Sequence, residues 1–397
     1  MNILKAVMSC ILLGGGFVYF AACLAAFAGH FKSRRIVSGY TPSISVIIAA
    51  RNEECNIGSL LDDLLLQDYP HDKFRLIVVD DCSEDGTKAV VESFIARDDR
   101  VILRETCLSK SKYTHKKKAI HEGILTSKGE IIVTVDADCR INRGWLRGMV
   151  EQFVPGIDLV AGSVIVEGNG LWGWLEELEF TGIQMMAAGL MNVRIPITCN
   201  GANLAYRRSA FECIGGFEGI GSMVSGDDDL LMQKIAAGNP SSVMFASGIE
   251  TAVYVQAKNS VSEFLAQRSR WASKILAYPS RTAVAFLSFI FVFLAVIPIW
   301  LVGGIFGALS LTQLGVGYGL KVMGDLLLCG YGIMRYRRPL LLILFPLAEI
   351  VHVPYIIGVT LKGLFGSFEW RGRRTSAVST GYGKSVFEKK VNPYEGG

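Results

Sequence analysis

Apolar positions along the chain fall into two regimes. From Ala6 to Gly29 no charged residue occurs, a run longer than the roughly 20 residues a helix needs to cross a bilayer. A second uncharged run, Thr282 to Leu320, exceeds one crossing and predicts a helical hairpin. Its second helix would contain Lys321 and Asp325, which lie four apart on one face and can pair inside a bundle. A third stretch, Pro339 to Leu361, holds Glu349 and His352 and no other acidic or basic residue. Counting these segments gives four crossings and an outward tail. The basic runs "RYRRP" and "FEWRGRR" instead ask for a cytosolic side at each end of the last segment. A re-entrant or interfacial final segment would satisfy both.

Between about residues 42 and 275 the apolar runs shorten and alternate with polar, helix-spaced segments. "SISVIIAA" is a run of β-formers ended by "RNEE", and "CNIGSLLDDLLLQDYP" then shows helical spacing until Pro70. "FRLIVVDDCSEDGT" repeats the plan of strand and acidic turn, followed by the helix "KAVVESFIARDD". "VILRE" predicts a third strand, "KKKAIHEGILTSKG" a helix ended by Gly129, and "EIIVTVDADC" a fourth strand. Such alternation predicts βαβ units and a parallel sheet covered on both faces, with ligand bound at the carboxyl ends of the strands.

Composition sharpens this division. Hydrophobic residues make up 51% and charged residues 19% of 397, more apolar than an ordinary soluble enzyme. The first run is expected to be an uncleaved anchor; a cleaved secretory signal, suggested by "AACLAAFAG", would have a shorter apolar core. Lys32, Arg34 and Arg35 against a lone Lys5 place the following domain in the cytosol. The nine cysteines show no CxxC pair or regular spacing, so reduced thiols are expected rather than a zinc site or disulfide framework. A net charge of +4, with Lys and Arg gathered beside the apolar segments, suits a membrane surface and not nucleic acid.

The chemistry concentrates at predicted strand ends. Asp80 and Asp81 end the second strand and Asp136 and Asp138 end the fourth, so both pairs would project from one sheet edge. Carboxylates at alternate positions offer hard oxygens to Mg²⁺ or Mn²⁺, which bind the oxygens of a diphosphate. Turn and helix capping would also account for Asp80, Asp81 and Ser83. In "SGDDDLL" three carboxylates open a helix; capping and the helix dipole explain one or two of them. "QRSRW" sets Gln267, Arg270 and Trp271 on one helical face, a pattern that interfacial helices also collect.

The ordered series "SVIIAARNEE", "VVDDCSEDGT", "KKKAIHEGI", "TVDADC", "CNGANLAYRR", "SGDDDLL" and "QRSRW" resembles the membrane-bound inverting glycosyltransferases of family 2. That group has the GT-A fold and includes cellulose, chitin and hyaluronan synthases and ceramide glucosyltransferase. The resemblance covers roughly residues 44 to 275. It implies an α/β, Rossmann-like domain that binds a nucleotide sugar, with flanking transmembrane helices. Asp80 or Asp81 would meet the base of the donor, Asp136 and Asp138 would hold the metal, and Lys116 would lie near the nucleotide. Asp228, or Asp227 after a shift of one residue, would be the base that takes the acceptor's proton. Arg270 would meet the diphosphate, while Trp271, Gln267 and Asn203 would serve the acceptor. For Lys116 the plainer reading is a solvated lysine, and for "CNGANLAYRR" a turn at a strand edge. Trp172 and Trp174, in "LWGWLEELEF", are expected to pack against the sheet, with a lipid-facing or acceptor-facing role as the alternative. "WRGR" at 370–373 resembles a tail motif of bacterial members and carries no catalytic role.

The organisation expected is an anchor at 1–35, a cytosolic GT-A domain at 42–275, a transmembrane region at 281–365 and a basic tail at 366–397. The resemblance implies a hexosyltransferase of the cytoplasmic membrane. It would act with inversion, with Mg²⁺ or Mn²⁺, from a nucleotide-sugar donor to a lipid or growing polysaccharide acceptor. Two alternatives are a non-catalytic membrane scaffold or nucleotide-sugar sensor, and a nucleotidyltransferase, which would leave Gln267, Arg270 and Trp271 unexplained.

Overall fold

In the computed structural model the described residues are 2–32, 39–107, 111–223, 225–370 and 373–376. Arg34, Arg35 and most of the expected tail lie outside them. In chain order the elements are α1 (Asn2–Gly29), β1 (Ile44–Ala50), α2 (Ile57–Leu65), β2 (Phe74–Asp80), α3 (Thr87–Ile95), β3 (Val101–Glu105), α4 (His115–Thr126), β4 (Ile131–Val135), β5 (Arg140–Ile141) and α5 (Trp145–Val150). There follow β6 (Leu159–Gly162), β7 (Val164–Glu167), α6 (Gly170–Asn192), β8 (Asn203–Arg207), α7 (Arg208–Cys213), α8 (Asp229–Gly238), β9 (Val243–Ala246), β10 (Val253–Gln256) and α9 (Val261–Ala272). The described residues close with α10 (Arg281–Ile305), α11 (Leu311–Arg335), α12 (Phe345–Phe365) and the hairpin β11 (Ser367–Trp370) and β12 (Arg373–Ser376).

The chain divides into two compact units, and the division does not follow a contiguous 42–275 domain. Residues 167–193 and 257–275 group with the long helices, while 33–166 and 194–256 form the sheet unit.

In the sheet unit, β1, β2 and β4 are buried along almost their whole length, as strands covered on both faces should be. The main sheet has the order β3-β2-β1-β4-β8-β6-β9. The parallel arrangement expected from strand–helix alternation holds for β3-β2-β1-β4. Beyond it β8 runs antiparallel to β4, with Val135 opposite Asn203. This reversal positions the site: the turn at 200–202 enters β8 at the edge where Asp136 leaves β4.

In the helical unit three segments among the described residues are long and apolar enough to cross a membrane: Ile3–Gly29, Arg281–Ile305 and Pro339–Phe365. The fourth expected crossing, α11, is as long as α10, but Lys321, Asp325 and its many glycines lower its hydropathy. Helices α1 and α6 meet at glycines, and a Cβ on Gly29 would stand 2.1 Å from the Gly189 carbonyl oxygen. Small residues at such a crossing let backbones approach. Leu12, Phe293, Ile297, Trp300 and Val353 make one apolar core of this unit.

The Lys321–Asp325 pair expected from spacing forms, with Nζ 2.7 Å from Asp325 and 2.5 Å from Glu349 on α12. The Tyr19 hydroxyl donates to Asp325 at 2.5 Å. Of the two tryptophans in α6, Trp172 lies edge-on to Phe264 within this same unit, and Trp174 is exposed.

Candidate active site

The carboxyl ends of the strands carry the expected aspartates. Asp80, the last residue of β2, is 4% exposed, and its carboxylate accepts from the Ser83 amide at 3.2 Å and from the Ser83 hydroxyl. The Asp81 amide donates to the Ala50 carbonyl at 2.8 Å, and its Oδ1 accepts from the Thr106 hydroxyl at 2.8 Å. Thus the capping reading of Asp80 and Ser83 is realised in the fold, and β1, β2 and β3 are tied together at one edge.

Around Asp136 four segments converge. Lys116, in the first turn of α4, places Nζ 2.5 Å from Asp136 Oδ1 and 3.2 Å from Asp227 Oδ2. Burial opposes the charge on Lys116, but the fields of Asp136, Asp227 and Asp228 outweigh it and hold the ammonium well above the usual lysine range. Lys116 is therefore no solvated lysine. Asp228 caps α8: Oδ1 accepts from the Asp229 amide at 2.8 Å, and Oδ2 from the Gly201 amide at 3.2 Å. Asp229 is 1% exposed and its carboxylate accepts from the Leu230 amide, so one acidic residue of the three is spent inside the fold.

Two residues escaped the sequence reading. A Cβ on Gly201 would stand 3.0 Å from Asp227 Oδ2, 3.2 Å from Asp228 Cβ and 3.4 Å from Lys116 Nζ; the charged cluster closes around this glycine. Lys117, 1% exposed, donates to the carbonyls of Met223 at 2.7 Å and Ser225 at 2.6 Å. It pins the backbone that leads into Asp227. The only sequence signals were the run of three lysines and the Asn-Gly turn.

Asn203, expected beside an acceptor, is 0% exposed. Its Nδ2 donates to the carbonyls of Ser163 at 2.8 Å and Thr251 at 2.7 Å, and its Oδ1 accepts from Trp145 Nε1 at 3.0 Å. The structure places it as an internal post joining β8 to two loops.

Asp136 and Asp138 fit a divalent cation. Asp136 is half-exposed and Asp138 exposed, both follow β4, and their carboxylates are hard oxygen donors of the kind Mg²⁺ and Mn²⁺ take. The buried Cys139 thiol is pushed up by its burial and then by Asp136 and Asp138, with Lys116 opposing.

Gln267, Arg270 and Trp271 lie on α9, in the helical unit. Between them Arg268, 4% exposed, binds Glu179 at 2.7 Å and lies 4.3 Å from the Trp271 ring and 4.6 Å from the Phe264 ring. Gln267 Oε1 accepts from Arg268 at 2.5 Å. Trp271 thus has one face on the guanidinium, and its motif is anchored by a residue the spacing did not single out.

Cys82 and Cys107 are joined by a disulfide, with Cα atoms 5.3 Å apart. This corrects the expectation of nine reduced thiols. Spacing along the chain could not show it, because the two cysteines meet only where β2 and β3 lie side by side.

Comparison with known proteins shows the family and the fold of the chain. The family model "Glycosyl transferase family 2" matches residues 45–215, and "Glycosyl transferase family group 2" matches 131–357. The second match spans more than half of the chain, which therefore belongs to glycosyl transferase family group 2. Glycosyltransferase AglE of Haloferax volcanii is 32% identical over 190 residues, 47% of this chain and 59% of that one. A β-monoglucosyldiacylglycerol synthase of Synechocystis is 30% identical over 28% of this chain and 23% of that one. The matches thus span less than two thirds of these relatives' own length. Among solved structures, the mannosyltransferase PcManGT of Pyrobaculum calidifontis, in complex with GDP-Man and Mn²⁺, has a TM-score of 0.59 at 18% identity. It covers 90% of this chain and 98% of that one, a likeness of fold.

Proposed function

We propose that this protein is a membrane-bound glycosyltransferase that moves a sugar from a nucleotide-sugar donor to an acceptor hydroxyl, with inversion. The observation that carries the reading is the convergence of Lys116, Asp227 and Asp228 on Gly201, with Lys116 also bound to Asp136 and the exposed Asp138 two residues on. A purely structural ion pair would not need four carboxylates gathered on one sheet edge.

Asp80 and Asp81 are proposed to receive the nucleobase. Their position is fixed by Ser83 and Thr106. Asp136 and Asp138 would hold Mg²⁺ or Mn²⁺, which when bound supplies positive charge to the diphosphate oxygens. Lys116 keeps Asp136 and Asp227 from repelling each other and brings a permanent positive charge to the donor's phosphates. Asp228 is the proposed base. Two backbone amides fix its carboxylate, whereas Asp227 is engaged by Lys116. In a single displacement Asp228 would take the proton of the acceptor hydroxyl as that oxygen attacks the anomeric carbon. Gln267, Arg270 and Trp271 are proposed to serve acceptor and diphosphate on the strength of their motif.

The acceptor is proposed to be a lipid, with a growing polysaccharide as the second reading. Three helices among the described residues that are apolar enough to cross a membrane, and the partial likeness to a β-monoglucosyldiacylglycerol synthase, support the lipid. The cytosolic placement of the sheet unit is proposed from the basic residues that follow α1.

The test is release of nucleoside diphosphate by the detergent-purified protein across a panel of nucleotide sugars, with Mn²⁺ or Mg²⁺ and with lipid extract added or withheld. Release that needs lipid, metal and Asp228 is expected. A high-mass product made without lipid would turn the reading to a polysaccharide synthase, and silence across the panel would leave a non-catalytic scaffold.

A further inference from the structure

The disulfide between Cys82 and Cys107 lies where the donor's base is proposed to bind. Cys82 follows Asp80 and Asp81 directly, and Cys107 follows Thr106, whose hydroxyl donates to Asp81 and whose amide donates to the Asp80 carbonyl at 3.0 Å. The bridge therefore closes a ring of contacts around both aspartates. It also joins the ends of β2 and β3, of which β3 is the outer strand of the sheet. Cys82 has a backbone φ of +63°, a left-handed conformation that is costly for a side chain with a Cβ and persists where the surroundings enforce it. Cys82 is half-exposed and Cys107 exposed, so small thiols and disulfides can reach the pair. The Cα separation of 5.3 Å is within the range that a bridge spans.

We propose that Cys82 and Cys107 are a reversible thiol–disulfide modification site that sets the affinity for the nucleotide donor. The inference rests on the reading of Asp80 and Asp81 as the base-binding residues. In the bridged state the turn from Asp80 to Ser83 is held in its binding form before the nucleotide arrives. In the dithiol state that ordering must be supplied by binding itself, which weakens affinity. Conversion is by exchange with a small disulfide. One Cys thiolate attacks glutathione disulfide and expels a first glutathione thiolate. The second Cys then attacks the mixed disulfide and expels another, so the new sulfur–sulfur bond replaces the old one and two glutathione thiols leave. In the proposed cytosolic setting protein disulfides are usually of this transient kind.

The experiment measures binding of GDP and UDP with Mn²⁺ to the full chain in detergent, by calorimetry, after equilibration with glutathione disulfide or with excess glutathione. Maleimide labelling and peptide mass report the state of each cysteine. The bridged protein should bind its preferred nucleotide roughly three- to tenfold more tightly. Cys82→Ser/Cys107→Ser should bind like the reduced protein under both conditions. Equal or tighter binding in the reduced state overturns the inference, as does labelling of both cysteines under glutathione disulfide, or a redox response that survives in the double variant. Equal binding in both states leaves the donor site standing; absence of nucleotide binding in either state removes that reading and this inference with it.

Discussion

Lys116 in the sheet unit and Lys321 in the helical unit each lie on two carboxylates, at 2.5 and 3.2 Å and at 2.7 and 2.5 Å respectively. Their surroundings separate them. Lys116 and Asp136 keep 20% and 36% of their side chains exposed, with Asp227 at 10%, whereas Lys321 is 0% exposed and its partners Asp325 and Glu349 are 13% and 10% exposed. Asp325, Glu349 and His352 bring ligand-type atoms within 4.8 Å of one another, yet the ammonium of Lys321 already supplies the cation those carboxylates need. The first cluster is open to a ligand. The second is a pin between helices, since a charge inside an apolar bundle must be paired.

Substitutions that remove one partner should separate the two clusters. The largest effect is expected for Asp228→Asn: transfer should fall by about 10²- to 10⁴-fold, the usual worth of a positioned base, with nucleotide affinity within about twofold. Asp227→Asn measured alongside decides between the two as base, and a larger loss of turnover there would reverse the assignment. Next, Lys321→Met should destabilise the protein by about 3–5 kcal/mol through uncompensated buried carboxylates, read as a lower melting temperature in detergent. Lys116→Met should cost less stability and more activity, so the opposite ordering would break the contrast between pin and site.

Asp138→Asn is expected to weaken Mn²⁺-dependent nucleotide binding on the order of ten- to a hundredfold, while metal-independent binding is unchanged; identical titrations with and without Mn²⁺ would remove Asp138 from the metal site. The smallest effect concerns Lys234, which donates to the carbonyls of Gly216 at 2.5 Å and Glu218 at 2.8 Å. Burial lowers its pKa to about 8, against the opposing field of Glu218. The unfolded chain thus binds this proton more tightly than the folded one between pH 8 and the ordinary lysine value. Stability contributed by Lys234 should rise over that window, and Lys234→Met should flatten the rise in melting temperature measured from pH 7.5 to 10.

Elements were legible where a short pattern reports its own periodicity. The strands β1, β2 and β4, the aspartates at the ends of β2 and β4, and the long uncharged runs could be read directly, because a short run of β-formers and hydrophobic length are local properties. The pairing of Lys321 with Asp325 was also visible, being one helical turn apart. Asn203 was read from its motif, but its three hydrogen bonds go to Ser163, Thr251 and Trp145, which only the sheet's strand order brings together. Arg268 stood between two singled-out residues of "QRSRW", and burial against Glu179 and the Phe264 ring reveals it as the anchor.

By itself, then, the sequence determined the alternation of strands and helices, the apolar helices and the residue types that could bind a diphosphate and a metal. The tertiary structure decided which of them meet. Lys116 reaches Asp227, Gly201 reaches Asp228 and Cys82 reaches Cys107 because β8 reverses against β4 and β3 flanks β2. Strand order is set by packing of the whole sheet, and no local spacing of residues encodes it.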